Sequence, residues 1–168
     1  MADPTNEADL DWREYHEGDA RFRRKRLADG ERIGASLYEL PPGERAWPYH
    51  YHTANEEAMY VLAGSGRVRG PDGETAVTAG DYLAFPGGED GGHGVANDSD
   101  EPLRYLMLST MVEPDVTIYP DSGTFGVFAG APPGSSGERT LSGFYRIEET
   151  VDYWEGEPAG DDAPEEDG

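Results

Sequence analysis

Along the middle of the chain, apolar and polar residues alternate in short runs separated by turn formers every eight to twelve residues. IGASLYEL, EAMYVLAG, GRVRG, TAVT, DYLAF, HGVAN, LRYLMLST, DVTIYP and TFGVF each read as a strand. Pro71-Asp72-Gly73 sits between GRVRG and TAVT, with a glycine for the position that needs positive φ, so these two runs predict a hairpin. No helix-period run exceeds about ten residues, and no internal repeat is evident. The pattern predicts an all-β barrel or sandwich.

Composition refines that picture. The 168 residues include 23 Gly and 13 Pro, in keeping with a turn-rich β domain, and the length makes one domain the prior. Cys is absent, which excludes disulfides, thiolate metal sites and a cysteine nucleophile. The net charge of -22 and the lack of a long apolar run argue against a membrane span, and the start MADPTNEADLDW does not resemble a signal peptide. A cytoplasmic location is the expectation.

The acidity also repels nucleic acid, and one basic run, Arg21-Phe22-Arg23-Arg24-Lys25-Arg26, is too short to reverse that. It reads as a solvated segment pairing with nearby acids. Twelve Arg against a single Lys, with 11% aromatic residues, fits a folded protein of a salt-rich cytoplasm better than an acidic disordered chain. Charge divides the chain into an acidic arm (1–19), a barrel (20–130), a C-terminal extension packing on it (131–154) and an acidic tail (155–168) expected to be disordered.

Histidine placement carries the chemistry. His50, His52 and His93 lie among turn residues and not in an apolar core, and His50 and His52, two apart on an extended segment, address the same side. Glu57 opens the next strand, where a chain reversal brings its carboxylate beside them, and His93 is the fourth candidate. Glu56, the competing carboxylate, is off the strand parity. Imidazole and carboxylate without sulfur suit one divalent transition metal, Mn, Fe, Ni, Zn or Co.

These residues carry a resemblance. Gly43, His50, His52, Glu57 and Gly64, followed by Gly80, Pro86, Gly88, His93 and Asn97, resemble the two motifs of the cupin superfamily in order and spacing, with one extra residue before His50 and about two before His93. The resemblance spans roughly residues 30–110 and extends to small single-domain cupins of largely unassigned activity. It implies a double-stranded β-helix, or jelly-roll barrel, with His50, His52, Glu57 and His93 as metal ligands.

It also implies a small oxygen-rich metabolite as ligand, in dioxygenase, isomerase or lyase chemistry, or held without catalysis in a binding module. Strand parity lines the pocket with Met59, Val61 and Val95, and leaves open whether Tyr105, Met107 and Ser109 join them. It puts Trp47 and Tyr49 on the outside, and Asn97 against nearby backbone. Gly64 and Gly66 read as bracketing a turn that needs positive φ. A homodimer is expected, because Trp12, Tyr15 and Phe22 on the N-terminal arm need a surface, either their own barrel or a neighbour's.

Overall fold

The computed structural model describes residues 3–158. Thirteen strands account for most of its regular structure: β1 (Arg13–Glu17), β2 (Ala20–Asp29), β3 (Ile33–Leu40), β4 (Tyr51–His52), β5 (Glu57–Ala63), β6 (Ser65–Gly70), β7 (Gly73–Thr78), β8 (Tyr82–Phe85), β9 (Gly94–Ala96), β10 (Leu103–Thr110), β11 (Asp115–Tyr119), β12 (Thr124–Ala129) and β13 (Leu141–Arg146). One layer is a six-stranded sheet in the order β1-β2-β3-β10-β5-β8, and the rest of the wall is built from β13-β12-β11-β4 and β7-β6-β9. The result is all-β, as the alternating runs predict, and a jelly roll, as the resemblance implies. The hairpin expected at Pro71-Asp72-Gly73 joins β6 to β7, with Gly70 opposite Gly73 and Gly73 at φ 130°.

The short β4 belongs to an irregular stretch that stitches the second wall together. On one side His52 and Tyr51 pair with Thr117 and Ile118 of β11. On the other, His50 exchanges both backbone hydrogen bonds with His93, and Ala46 donates to the Val95 carbonyl. This central position, with a neighbour on each side, fixes where the two histidines point.

Period-two alternation builds the core. Met59 and Val61 of β5 are fully buried while the alternate residues Tyr60 and Leu62 face out, and Leu103 and Tyr105 repeat the pattern on β10. With Phe22, Leu40, Val68, Val77 and Val95 they form one cluster. Gly64 has a φ of +79° and accepts no side chain against the Pro102 carbonyl. Gly66 differs from the turn residue expected of it: it lies within β6 without positive φ, and a Cβ there would come within 2.5 Å of the Ala96 carbonyl oxygen.

Two segments depart from their sequence reading. The run RFRRKR pairs with nearby acids as expected, Arg21 with Glu44, Arg23 with Glu39 and Arg26 with Asp29, but it is part of β2 and not a solvated segment, paired on one side with β1 and on the other with β3. Phe22 is 1% exposed, stacked on Tyr15 at 4.7 Å and met edge-on by Trp47 at 4.7 Å. Arg23 and Lys25, on the opposite face, hold Trp12 beneath their cations at 4.6 and 4.7 Å. The arm therefore lies on its own barrel as an added hairpin.

Trp47, expected outside, is 37% exposed, yet its ring also lines the cavity and donates from Nε1 to the Tyr38 hydroxyl at 3.1 Å. The bends on either side of Pro48 cancel the strand parity on which the outward reading rested. Residues 131–140 form a loop before β13 adds to β12, and Ser136 of that loop donates from N (2.8 Å) and Oγ to Asp29 at the end of β2. Of the tail expected to be disordered, residues 159–168 lie outside the described residues.

Candidate metal centre

Three imidazoles and a carboxylate meet where the second wall faces β5. Ligand atoms of His50, His52 and Glu57 lie within 4.8 Å of one another. His93 joins through Glu57, its Nε2 standing 3.2 Å from Oε2, while His52 Nε2 is 3.5 Å from the same oxygen. The backbone bridge between His50 and His93 brings their rings to 4.7 Å. All three histidines are buried, and Glu57 turns inward while Glu56 is exposed.

Each ring is held by its other nitrogen. His50 Nδ1 donates to the Pro48 carbonyl at 2.8 Å and His93 Nδ1 to the Gly91 carbonyl at 2.9 Å. His52 Nδ1 donates to Asp115 Oδ2 at 2.6 Å, and Thr117 Oγ1 lies 3.1 Å from the same nitrogen. With all three Nδ1 atoms committed as donors, the neutral rings carry their lone pairs on Nε2. Outer partners of this kind orient ligating histidines and raise their basicity.

Asp115 is fully buried and also accepts from the Ala54 backbone N–H at 3.0 Å, clamping β4 to β11. The sequence reading passed over it. A signal was present: in DVTIYP the polar residues Asp115, Thr117 and Tyr119 share one face.

Electrostatics follow from burial and proximity. Burial, then the charges of His93 and His52, drive His50 down to about 3, so it is neutral at ordinary pH. Burial pushes the Glu57 carboxyl up, but the His93 hydrogen bond and the neighbouring imidazoles outweigh it and leave it at about 2. Burial lowers His52 as well, and there the Asp115 hydrogen bond, followed by the charges of Glu57 and Asp115, more than reverses it. The metal-free cluster is thus an anionic carboxylate, a neutral imidazole and an imidazole that favours its proton. Three Nε2 donors and one carboxylate oxygen fit a divalent ion of borderline softness, which would take the place of that proton.

The cluster sits in a cavity of about 400 Å³. Tyr105, Met107 and Ser109 of β10 do line it, which settles the face the strand pattern left open, and Val95 lines it too. Met59 and Val61 instead fill the core behind. Asn97 stays on backbone, donating from Nδ2 to the Leu40 and Glu101 carbonyls at 3.0 and 2.9 Å.

The cupin domain family matches residues 36–109, the stretch holding all four clustered side chains. The fold agrees over a longer span. A cupin-superfamily sugar phosphate isomerase from Silicibacter pomeroyi superposes with a TM-score of 0.74 at 23% identity, covering 88% of this chain and 95% of that one.

A candidate sugar phosphate isomerase from Acidithiobacillus ferrooxidans gives 0.71 at 24% identity, over 86% and 90%. A polyketide cyclase from Streptomyces resistomycificus gives 0.58 at 25% identity, over 66% and 80%. No curated protein matches the chain significantly. Among the described residues no helix is long and apolar enough to cross a membrane.

Proposed function

We propose that this protein is a cupin that holds one divalent transition metal through His50, His52, Glu57 and His93 and uses it to bind and transform a small oxygen-rich metabolite. The observation that carries the reading is the common orientation of the three imidazoles, each pinned at Nδ1 with Nε2 left for the centre. A bound divalent ion supplies Lewis-acid polarisation of a ligand oxygen.

Among its own residues, the protein provides Tyr119, stacked on His50 at 5.8 Å. Burial, then Asp115 and Glu57, push that phenol up to about 12, so it keeps its proton and can donate to a ligand oxygen.

Elemental analysis of protein purified without chelators tests the centre. Equimolar metal in the wild type and none in His52→Ala, with the β-sheet circular dichroism retained, is the expected result. Full occupancy in that variant refutes the ligand set. Oxygen uptake during turnover would assign dioxygenase chemistry, and turnover without it isomerase- or lyase-type chemistry.

We further propose a homodimer in a salt-rich cytoplasm. Support comes from the outer face of β5 and β8, where Tyr60 faces Tyr82 across the ladder and both, with Leu62, are exposed. Light scattering in molar salt tests the assembly, and a monomer at tens of micromolar ends it.

A further inference from the structure

Acids outnumber bases 35 to 13 in this chain, yet the cavity wall reverses that ratio. It carries Arg13, Arg24, Arg26 and Arg139, with Glu57 the one acidic residue in the lining among the described residues. Most of the other arginines are spent on carboxylates: Arg21, Arg23, Arg45, Arg67, Arg69, Arg104 and Arg146 each have one within 4.0 Å. Among the described residues Arg13 and Arg24 have no such partner, although carboxylates are the commonest side chains on this protein. They stand over Tyr15 at 5.1 and 5.7 Å instead.

Arg26 is more telling. Its Nε is sealed from solvent without a hydrogen-bond partner, and its nearest carboxylate, Asp29, is 3.8 Å away and already accepts from Ser136. A guanidinium held like this costs free energy, which an anion meeting its cavity-facing side would offset by balancing the charge.

Strand geometry explains the placement. Arg24 and Arg26 follow Phe22 at intervals of two along β2, so all three point into the barrel. The ladder then runs from Arg26 through Ser36 and Met107 to Met59, two residues along β5 from Glu57. Three strand spacings put the arginines about 14 Å along the sheet from the ligand strand. Side chains reaching inward from both ends leave room for a compact molecule. Arg139 adds charge from above, but its Nε and Nη2 donate to the Ala131 and Pro132 carbonyls and so mainly hold the loop in place.

We propose that Arg24 and Arg26, with Arg13 at the rim, form an anion-binding subsite for a phosphate or carboxylate group at one end of the ligand, whose oxygen-rich other end reaches the histidine cluster. The inference rests on the proposed metal centre only for where that other end goes. A guanidinium fork matches both oxyanions in a bidentate way that an ammonium does not. In a chain of net charge -22 the subsite also makes the cavity locally attractive to an anion that the rest of the surface repels.

Titration calorimetry on the full chain, stripped of metal and also metal-loaded, with inorganic phosphate, acetate and neutral glycerol as probes, tests this. Phosphate or acetate should bind the stripped protein and glycerol should not, and the tighter anion identifies the group. Arg24→Gln with Arg26→Gln should weaken that anion at least about tenfold, as loss of a charge-assisted hydrogen bond implies, with metal content unchanged. Arg67→Gln, at an exposed ion pair, should leave it unaltered.

No anion binding by the wild type, or equal binding by the double variant, overturns the subsite. Absent metal with arginine-dependent anion binding overturns the metal centre and leaves the subsite standing. If the double variant does not fold, phenylglyoxal modification of the wild type decides. Phosphate or acetate should protect the peptide holding Arg24 and Arg26, and modification at an unchanged rate refutes the proposal.

Discussion

Replacing Asp115 by Asn changes one atom and reverses one hydrogen bond. Asp115 Oδ1 accepts from the Ala54 N–H at 3.0 Å and Oδ2 from His52 Nδ1 at 2.6 Å, in a position with no exposure to water. The Asn oxygen can keep the first bond, which leaves its amino group facing the Nδ1–H of His52, donor against donor. His52 relieves the conflict by carrying its proton on Nε2, the nitrogen 3.5 Å from Glu57 that the proposed metal would need.

Loss of such an outer partner costs roughly 10- to 100-fold in metal affinity, or about 1.4 to 2.7 kcal/mol at 1.36 kcal/mol per tenfold. Competition with a chromogenic chelator at pH 7.5 measures the loss, and nitrogen-detected NMR of the stripped protein reads the tautomer. Thr117→Val, which removes only the 3.1 Å contact to the same nitrogen, should cost roughly threefold. An Asp115→Asn variant within twofold of wild type, or one still protonated at Nδ1, would refute the argument that Asp115 sets the tautomer.

Phe22→Ala should destabilise the fold by about 3 to 5 kcal/mol in urea denaturation, because the ring is buried among Tyr15, Tyr38 and Trp47; a loss below about 1 kcal/mol would show that the N-terminal hairpin is loosely attached. Metal-free protein should lose stability as pH falls from about 6.5 towards 3, because unfolded His50 binds a proton over that range and folded His50, at about 3, does not. Glu57, held at about 2, adds a loss of the same sign below its ordinary range. His52 has its pKa raised, so its contribution is already complete below 6.5 and leaves the slope unaltered. The slope approaches 1.36 kcal/mol per pH unit for His50, and equal slopes for wild type and His50→Gln in molar salt would count against it. The melting temperature should rise between dilute buffer and molar salt as repulsion within a chain of -22 is screened, and an unchanged value would rule out salt adaptation.

An all-β barrel or sandwich was legible from local pattern, while the jelly roll and the grouping of His93 with His50, His52 and Glu57 came from the resemblance to the two cupin motifs. Alternation of period two assigned the strands, Pro71-Asp72-Gly73 marked a hairpin, and the spacing of His50, His52 and Glu57 places their side chains on one side of adjacent segments. Interactions of that kind depend on residues a few positions apart, where backbone geometry decides direction.

What pattern could not supply depends on which strands become neighbours. Asp115 is 63 positions from the imidazole it orients, and the two meet only because β4 pairs with β11. In RFRRKR one apolar residue among five bases sets the phase too weakly to be read, and only the pairing of β2 with β3 turns Arg24 and Arg26 into the cavity. Trp47 shows the same limit from the other side, since the bends around Pro48 interrupt the alternation that predicts facing. A charged side chain on an exposed strand and one on an inner wall have the same local sequence, and the difference in their free energy comes from the walls that close around them.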